Sequence, residues 1–473
     1  MVQNRRDIDE ILKEARIFAE RHHSSLIFWL LQRFMRCDDY QLDYVIKKIY
    51  CMSNPISQST VESKIKTYLG VLLLPVSFLK KQLRWKSEAK VDYLLETIDA
   101  DYFYGRFATI YDSLQGTKRI TPRVKDSFPR EDATDSVYAS VYIWTLFSLF
   151  LTGILSIIPL YIFCLVNRVN ILREYRVALS TYAAFDGYFR RYPCENFVTY
   201  ADDTNHPSRY IAFRQQCNGS MIVIQNGERG RQPVWAFGMV DQYFVFGQAY
   251  VRMLEELGYH MEQACPVGSL ALNQRYSELS ACDKQPRFDI LYIDNGSLCP
   301  PYYGGLKQDV AESERTNLAF LNQYKAMHRD LKIAYQLRPY NDNPEVKGVL
   351  LNILQGIFTE DIELLENTGQ GESYQNVSQA NVVLTFQSTM GFEAMMLGKK
   401  VLFLNYSGYP NETLCEDKQF QIEEYPGDYE HFAATLDRLL TLELDSIPEI
   451  ALLRHYVFDG AVQEKIAASI DIM

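Results

Sequence analysis

The stretch NVVLTFQSTMGFEAMMLGKKVLFLN (381–405) holds two apolar runs, Val382-Val383-Leu384 and Val401-Leu402-Phe403-Leu404. Between them lie a polar turn and an Ala- and Met-rich segment that closes at Gly398. Continuous apolar runs read as strands buried on both faces, and strand–helix–strand order implies a parallel pair joined by a crossover. Gln387-Ser388-Thr389 stands where the first strand ends and the helix begins. A helix start offers unpaired N–H groups and a partial positive charge, so this turn can hold a phosphate or carboxylate. Gly391 would let a ligand approach the backbone, and Glu393, one turn in, could accept from a sugar hydroxyl. The competing reading is a plain N-cap, in which Ser388 serves only its own helix.

Outward from this unit, strand-like and helix-like runs alternate from residue 90 onward, the pattern of parallel sheets with right-handed crossovers. The expected fold is α/β, with two doubly wound Rossmann-like domains, an N-terminal helical region and a membrane-inserted helical segment. The expected boundaries are 1–89 for the helical region, 90–272 for the first αβ domain, interrupted by 136–166, and 273–473 for the second. Within the second, SERTNLAFLNQYKAMHRD (313–330) reads as a helix with Ser313 at its N-cap.

The chain has 473 residues, 47% of them hydrophobic and 23% charged, with a net charge of −11. That is the composition of a folded protein, and it argues against a nucleic-acid binder, which needs a clustered positive surface. Nine scattered Cys form no C-x-x-C pair, which fits a reducing compartment and gives no zinc spacing. No metal and no cofactor are expected. The charged N-terminus, MVQNRRDIDEILKEA, lacks the apolar core of a secretory signal.

Residues 136–166 contain no Asp, Glu, Lys, Arg or His. The run exceeds the roughly 20 residues that span a bilayer as a helix. Gly153 and Pro159 lie inside it, and basic residues flank both ends, among them Arg123, Lys125 and Arg130 before and Arg168, Arg173 and Arg176 after. Strands before and after the run that share one sheet need both ends on one side of the membrane. A re-entrant or monotopic hairpin is therefore expected in preference to a single span, on the cytoplasmic face of the inner membrane.

Polar groups should gather where strands end, since ligands of doubly wound sheets sit at the carboxyl ends. Arg338 ends KIAYQLRP and could clamp a diphosphate, or pair with Asp342 or Glu345 on the surface. Asp202 and Asp203 end NFVTYADD and could act as a general base or cap the next helix. Gln225, Asn226 and Glu228, in IQNGERG (224–230), follow the strand SMIVI and would face the acceptor.

The 381–405 stretch resembles the nucleotide-sugar-binding segment of GT-B-type glycosyltransferases of bacterial surface polysaccharides, including capsule Kdo transferases and CDP-glycerol glycerophosphotransferases. The elements YADD, MIVIQNGERG, DQYFVFGQAYVRMLEELG and PVGSL resemble the amino-terminal domain of that group. The resemblance implies that Ser388 and Thr389 hold donor phosphate and that Glu393 contacts ribose or sugar. Relatives carry His where this chain has Asn226 and Tyr340, which removes two candidate acid/base or phosphate-binding groups. The expected function is a membrane-associated, metal-independent glycosyltransferase that moves a sugar from a nucleotide-sugar donor to a lipid-linked saccharide acceptor. In it Arg338 and the Ser388 helix start would stabilise the leaving phosphate, and Asp202 or Asp203 would be the base. The alternatives are a CDP-glycerol-type polyol-phosphate transferase, a sugar-nucleotide epimerase, or an inactive scaffold that recruits other polysaccharide-assembly enzymes.

Overall fold

The computed structural model describes residues 7–55, 89–97, 110, 120–124, 143–200, 206–273, 275, 286–298, 307–338, 344–367, 371–408, 420–443 and 461–471. Three amphipathic helices come first: α1 (Ile8–His22), α2 (Leu26–Met35) and α3 (Asp39–Met52). Asp38 closes a capping box with Gln41 at the start of α3, satisfying helix N–H groups that would otherwise lack partners. The buried Lys48 of α3 donates to the carbonyls of Val234 and Ala236, which ties this layer to the first αβ domain. A two-residue strand, β1 (Asn54–Pro55), follows.

The first sheet is fed by β2 (Val91–Thr97) and β3 (Ile120–Val124), then by a long apolar helix α4 (Ile143–Asn167). Next come β4 (Val169–Asn170), which pairs with β1, and the helix α5 (Leu172–Arg191). The sequence then alternates through β5 (Cys194–Thr199), α6 (Pro207–Gln216), β6 (Met221–Ile224), β7 (Gln242–Val245), α7 (Gln248–Glu256) and β8 (Gln263–Pro266). The order is β3-β2-β5-β6-β7-β8, all parallel, with the switch point between β2 and β5. Beneath it Arg209 and Glu96 form an ion pair only 1% and 0% exposed, with the guanidinium against the rings of Phe185 and Phe197.

The second sheet starts with β9 (Phe288–Ile293), α8 (Lys307–Met327), β10 (Ile333–Gln336), α9 (Pro344–Ile357) and β11 (Glu363–Leu365). It continues through α10 (Glu372–Ser378), β12 (Ala380–Thr385), α11 (Thr389–Met396), β13 (Lys400–Asn405), β14 (Gln421–Glu423) and α12 (Tyr429–Thr441). Its order is β11-β10-β9-β12-β13-β14, again parallel, which is the doubly wound order with its switch point between β9 and β12. β13 is buried along its whole length. Lys400 can lie in it because its ammonium donates to the carbonyls of Leu440 and Leu442 at the end of α12. The last helix, α13 (Val462–Asp471), returns to the first domain. There Val462, Ile466 and Ile470 join Tyr93, Leu95 and Val198 in one core cluster, and the Tyr93 hydroxyl donates to the Ile470 carbonyl.

Two sequence expectations need correction. The apolar run is not broken into a hairpin within the described residues: α4 passes through Gly153 and Pro159 as one helix of 25 residues, about 37 Å long. Ser313 is not a cap. α8 begins at Lys307, and the buried Ser313 hydroxyl accepts from the Tyr406 amide at 2.8 Å, pinning the helix to the end of β13.

Candidate active site

Strand ends from both sheets meet in one cleft of about 480 Å³. From the second sheet, β9 delivers Asp294 and Asn295, β10 delivers Arg338, and β12 delivers Gln387, Ser388 and Thr389; from the first, the loop after β6 delivers Asn226 and Arg229. Each stands at the carboxyl end of its strand, and in the second sheet the cleft straddles the switch point, where neighbouring strands send their chains in opposite directions.

The helix start at the centre is a true N-cap. Ser388 is extended (φ −127°, ψ 138°) and its Oγ accepts from the Met390 amide at 3.2 Å. The cap and the ligand reading coexist, because Ser388 and Thr389 both line the cleft. Thr389 Oγ1 accepts from the Glu228 amide at 2.7 Å, so the first domain's loop is seated directly on this helix start. Gly391 does not serve ligand approach. It is buried, and a Cβ there would lie 2.7 Å from a Phe403 ring carbon and 2.9 Å from Thr385 Cγ2. The glycine lets α11 press against its own sheet, which fixes where the helix N-terminus points.

Glu393 is buried at the cleft wall, accepting from the Ser269 hydroxyl of the first domain and from Tyr374 Oη at 2.9 Å. Its carboxylate is thereby held across the domain boundary. Arg338 is exposed; its Nη1 donates to the Asn295 carbonyl at 2.8 Å and its amide to Asp294 Oδ2 at 3.4 Å. Asp294 is 3% exposed and accepts from the Gly296 amide at 2.7 Å. Behind it, Glu314 on α8 is held neutral to about pH 8, first by burial and then by the charge of Asp294.

Asn226 donates to the Tyr200 carbonyl at 2.8 Å and accepts from Arg229, whose guanidinium lies 4.4 Å from the Trp235 ring centre. Gln225 is turned away from the cleft. Its amide is committed at both ends, to the Gly227 carbonyl and the Phe246 amide, each at 2.9 Å. The Glu228 carboxylate accepts from the Tyr250 hydroxyl and is likewise directed at its own domain. Asp202, Asp203 and Tyr340 lie outside the described residues.

Sequence reasoning passed over Asp294, Arg229, Tyr374 and Ser269. For Asp294 a signal existed: it ends a strand in the same domain as Arg338, but Asp-Asn-Gly reads first as a turn. For the others only tertiary packing brings them to the cleft. Among the described residues no group of three or more His, Cys, Asp or Glu converges to hold a metal ion.

No protein-family model matches the chain, and no curated protein matches it. In three dimensions it is similar to a protein assigned as a UDP-N-acetylglucosamine 2-epimerase from Listeria monocytogenes, at TM-score 0.50 and 12% identity, over 81% of this chain and 96% of that one. It is similar also to the UDP-GlcNAc 2-epimerase from Methanocaldococcus jannaschii in complex with UDP-GlcNAc and UDP, at TM-score 0.50 and 10% identity, over 81% and 100%. The fold is GT-B-like. At such identity the likeness speaks for the arrangement of two parallel-sheet domains about a cleft.

Proposed function

We propose that this chain is a nucleotide-sugar-processing enzyme, and that its reaction is epimerisation of a sugar carried on a nucleoside diphosphate. The observation that carries the reading is the single cleft in which the Ser388-Thr389 helix start, Arg338 and Arg229 surround one volume. A diphosphate needs that combination: backbone N–H groups and a helix dipole on one side, planar guanidinium groups on the other. As the bond between sugar and phosphate weakens, the same groups stabilise the growing negative charge. Glu393, fixed by Ser269 and Tyr374, is an acceptor for a sugar or ribose hydroxyl. A volume of about 480 Å³ falls in the range of about 300–1,000 Å³ for sites that bury one small ligand. One nucleotide-sugar substrate suits it. Asp202 or Asp203, which follow β5 in the sequence, is the proposed base. It removes the carbon-bound proton next to the anomeric carbon as the sugar–phosphate bond breaks and a C=C bond forms. The sugar–phosphate bond is restored as a proton from solvent adds to the opposite face.

The test is to incubate the protein with UDP-N-acetylglucosamine and other nucleotide-sugars in D2O, with no acceptor. Epimerisation through removal of a carbon-bound proton yields a second nucleotide-sugar that carries deuterium at the inverted carbon. Sugar nucleotide recovered without deuterium, with UDP released only when a saccharide acceptor is added, would replace this reading by transfer. One observation favours that second reading: α4 presents an apolar face that could bring a lipid-linked acceptor near the cleft-bearing domain.

A further inference from the structure

α4 is built inside out. Leu146, Leu149, Leu160 and Cys164 are buried, and the helix packs sideways on α2 and α5. Its polar side chains also face the protein: Thr145 donates to Asp186, Ser156 shares a hydrogen bond with the Tyr175 hydroxyl at 3.0 Å, and Thr152 is buried. The outward face is left to large side chains, with Trp144 63%, Ile158 69% and Val166 74% exposed, Phe147, Leu151 and Ile162 exposed between them, and Tyr161 the hydroxyl-bearing one at 52%. Trp29 and Leu26 of α2 extend the patch.

We propose that this face lies in the plane of a lipid bilayer, immersed to about the depth of one helix side, and does not cross it. Three features select lipid as the occupant. First, the outward face is a continuous set of large apolar side chains with Tyr161 among them, where a protein interface would intersperse more polar groups, and hydrocarbon tolerates no unsatisfied polar group. Second, arginines stand at both ends where headgroups would meet them. Arg33 and Arg36 are exposed at the end of α2, with Arg33 5.5 Å from the Trp29 ring centre; Arg168 and the 77% exposed Arg173 follow α4. Third, tryptophans at the patch suit the interface between water and acyl chains. The same contacts exclude a span. α5 lies alongside α4, with Ser156 opposite Tyr175 and Thr145 opposite Asp186, and it carries Arg173, Glu174, Arg176, Arg190 and Arg191. A bilayer around all of α4 would take those charges into hydrocarbon.

The experiment uses the full chain, floated with vesicles of phosphatidylcholine alone or mixed with phosphatidylglycerol. The wild type should rise with the vesicles, more so with the anionic lipid. The double substitution Ile154→Asp/Ile158→Asp should lower partitioning by roughly tenfold per residue, since each removes the burial of one large side chain. Both positions are exposed, so the urea midpoint should be unchanged. Independently, single-tryptophan proteins carrying Trp144, Leu155→Trp or Val166→Trp, with every other tryptophan replaced by Phe, should all be quenched alike by lipids brominated near the headgroup. Unaltered flotation of the double variant, or a wild type that stays with the soluble fraction, overturns the proposal. So does quenching of position 155 chiefly by lipids brominated near the chain ends while 144 and 166 are quenched near the headgroup, which would mean a span. A soluble dimer that the double variant dissociates would give the face to a second copy of the chain and overturn it equally.

Discussion

Arg338→Met is the substitution that separates ligand binding from folding most cleanly. The side chain is exposed, and its hydrogen bond to the Asn295 carbonyl sits at the rim of the cleft, so its loss should change stability by no more than about 1 kcal/mol. A guanidinium on a diphosphate makes charge-assisted hydrogen bonds, worth about 1.5–3 kcal/mol. At about 1.4 kcal/mol per decade, the Kd for UDP should rise roughly 10- to 150-fold. Isothermal titration of UDP into wild type, Arg338→Met and Arg338→Lys reads this directly, with urea unfolding of the free proteins as the control. Arg338→Lys should fall between the two, because an ammonium restores the charge but not the planar fork. An unchanged Kd in Arg338→Met, with the midpoint also unchanged, would refute the assignment of this cleft to the diphosphate.

Removing Arg209 by Arg209→Met leaves Glu96 buried with Thr199 as its one remaining donor among the described residues, which should cost about 3–5 kcal/mol in urea unfolding. Adding Glu96→Leu should recover most of that loss if the unpaired charge, and not lost packing, is the cause. Gly391→Ala should destabilise by about 1–3 kcal/mol through overpacking against Phe403 and Thr385, and should weaken UDP binding by displacing the helix start. Glu314 has a folded pKa of about 8, raised from 4.5, so the native state holds a proton that the unfolded chain has lost. Its contribution to stability is therefore complete at low pH and declines as pH rises from about 4.5 to about 8. Glu314→Gln removes this dependence, so its stability relative to wild type should climb across that window and then level off. A constant difference in unfolding midpoint from pH 5 to 8 would contradict the cause given for the shift.

Much of the architecture was written locally. Runs such as Val382–Leu384 and Val401–Leu404 can be satisfied only as strands covered on both faces, and the amphipathic helices between them supply that cover. The parallel sheets therefore followed from pattern alone, as did the placing of Arg338 and Ser388 at strand ends on one edge. Strand order did not, because an apolar run carries no label for its neighbour; only packing set β9 beside β12 and made the switch point where Asp294 and Ser388 line one cleft. Composition marked residues 136–166 as apolar, but an uncharged helix says nothing of which side meets protein. That was decided by α2 and α5, which take up Thr145, Ser156, Leu149 and Leu160 and leave Phe147, Ile158 and Val166 outward. The same holds at the cleft. The sequence could nominate Glu393 and Thr389, but Ser269 and the Glu228 amide, more than a hundred residues earlier in the chain, reach them only because the two domains fold against each other. Local chemistry determines which elements form. Which side chains share a site depends on contacts between residues far apart in the chain, and those exist only in the folded molecule.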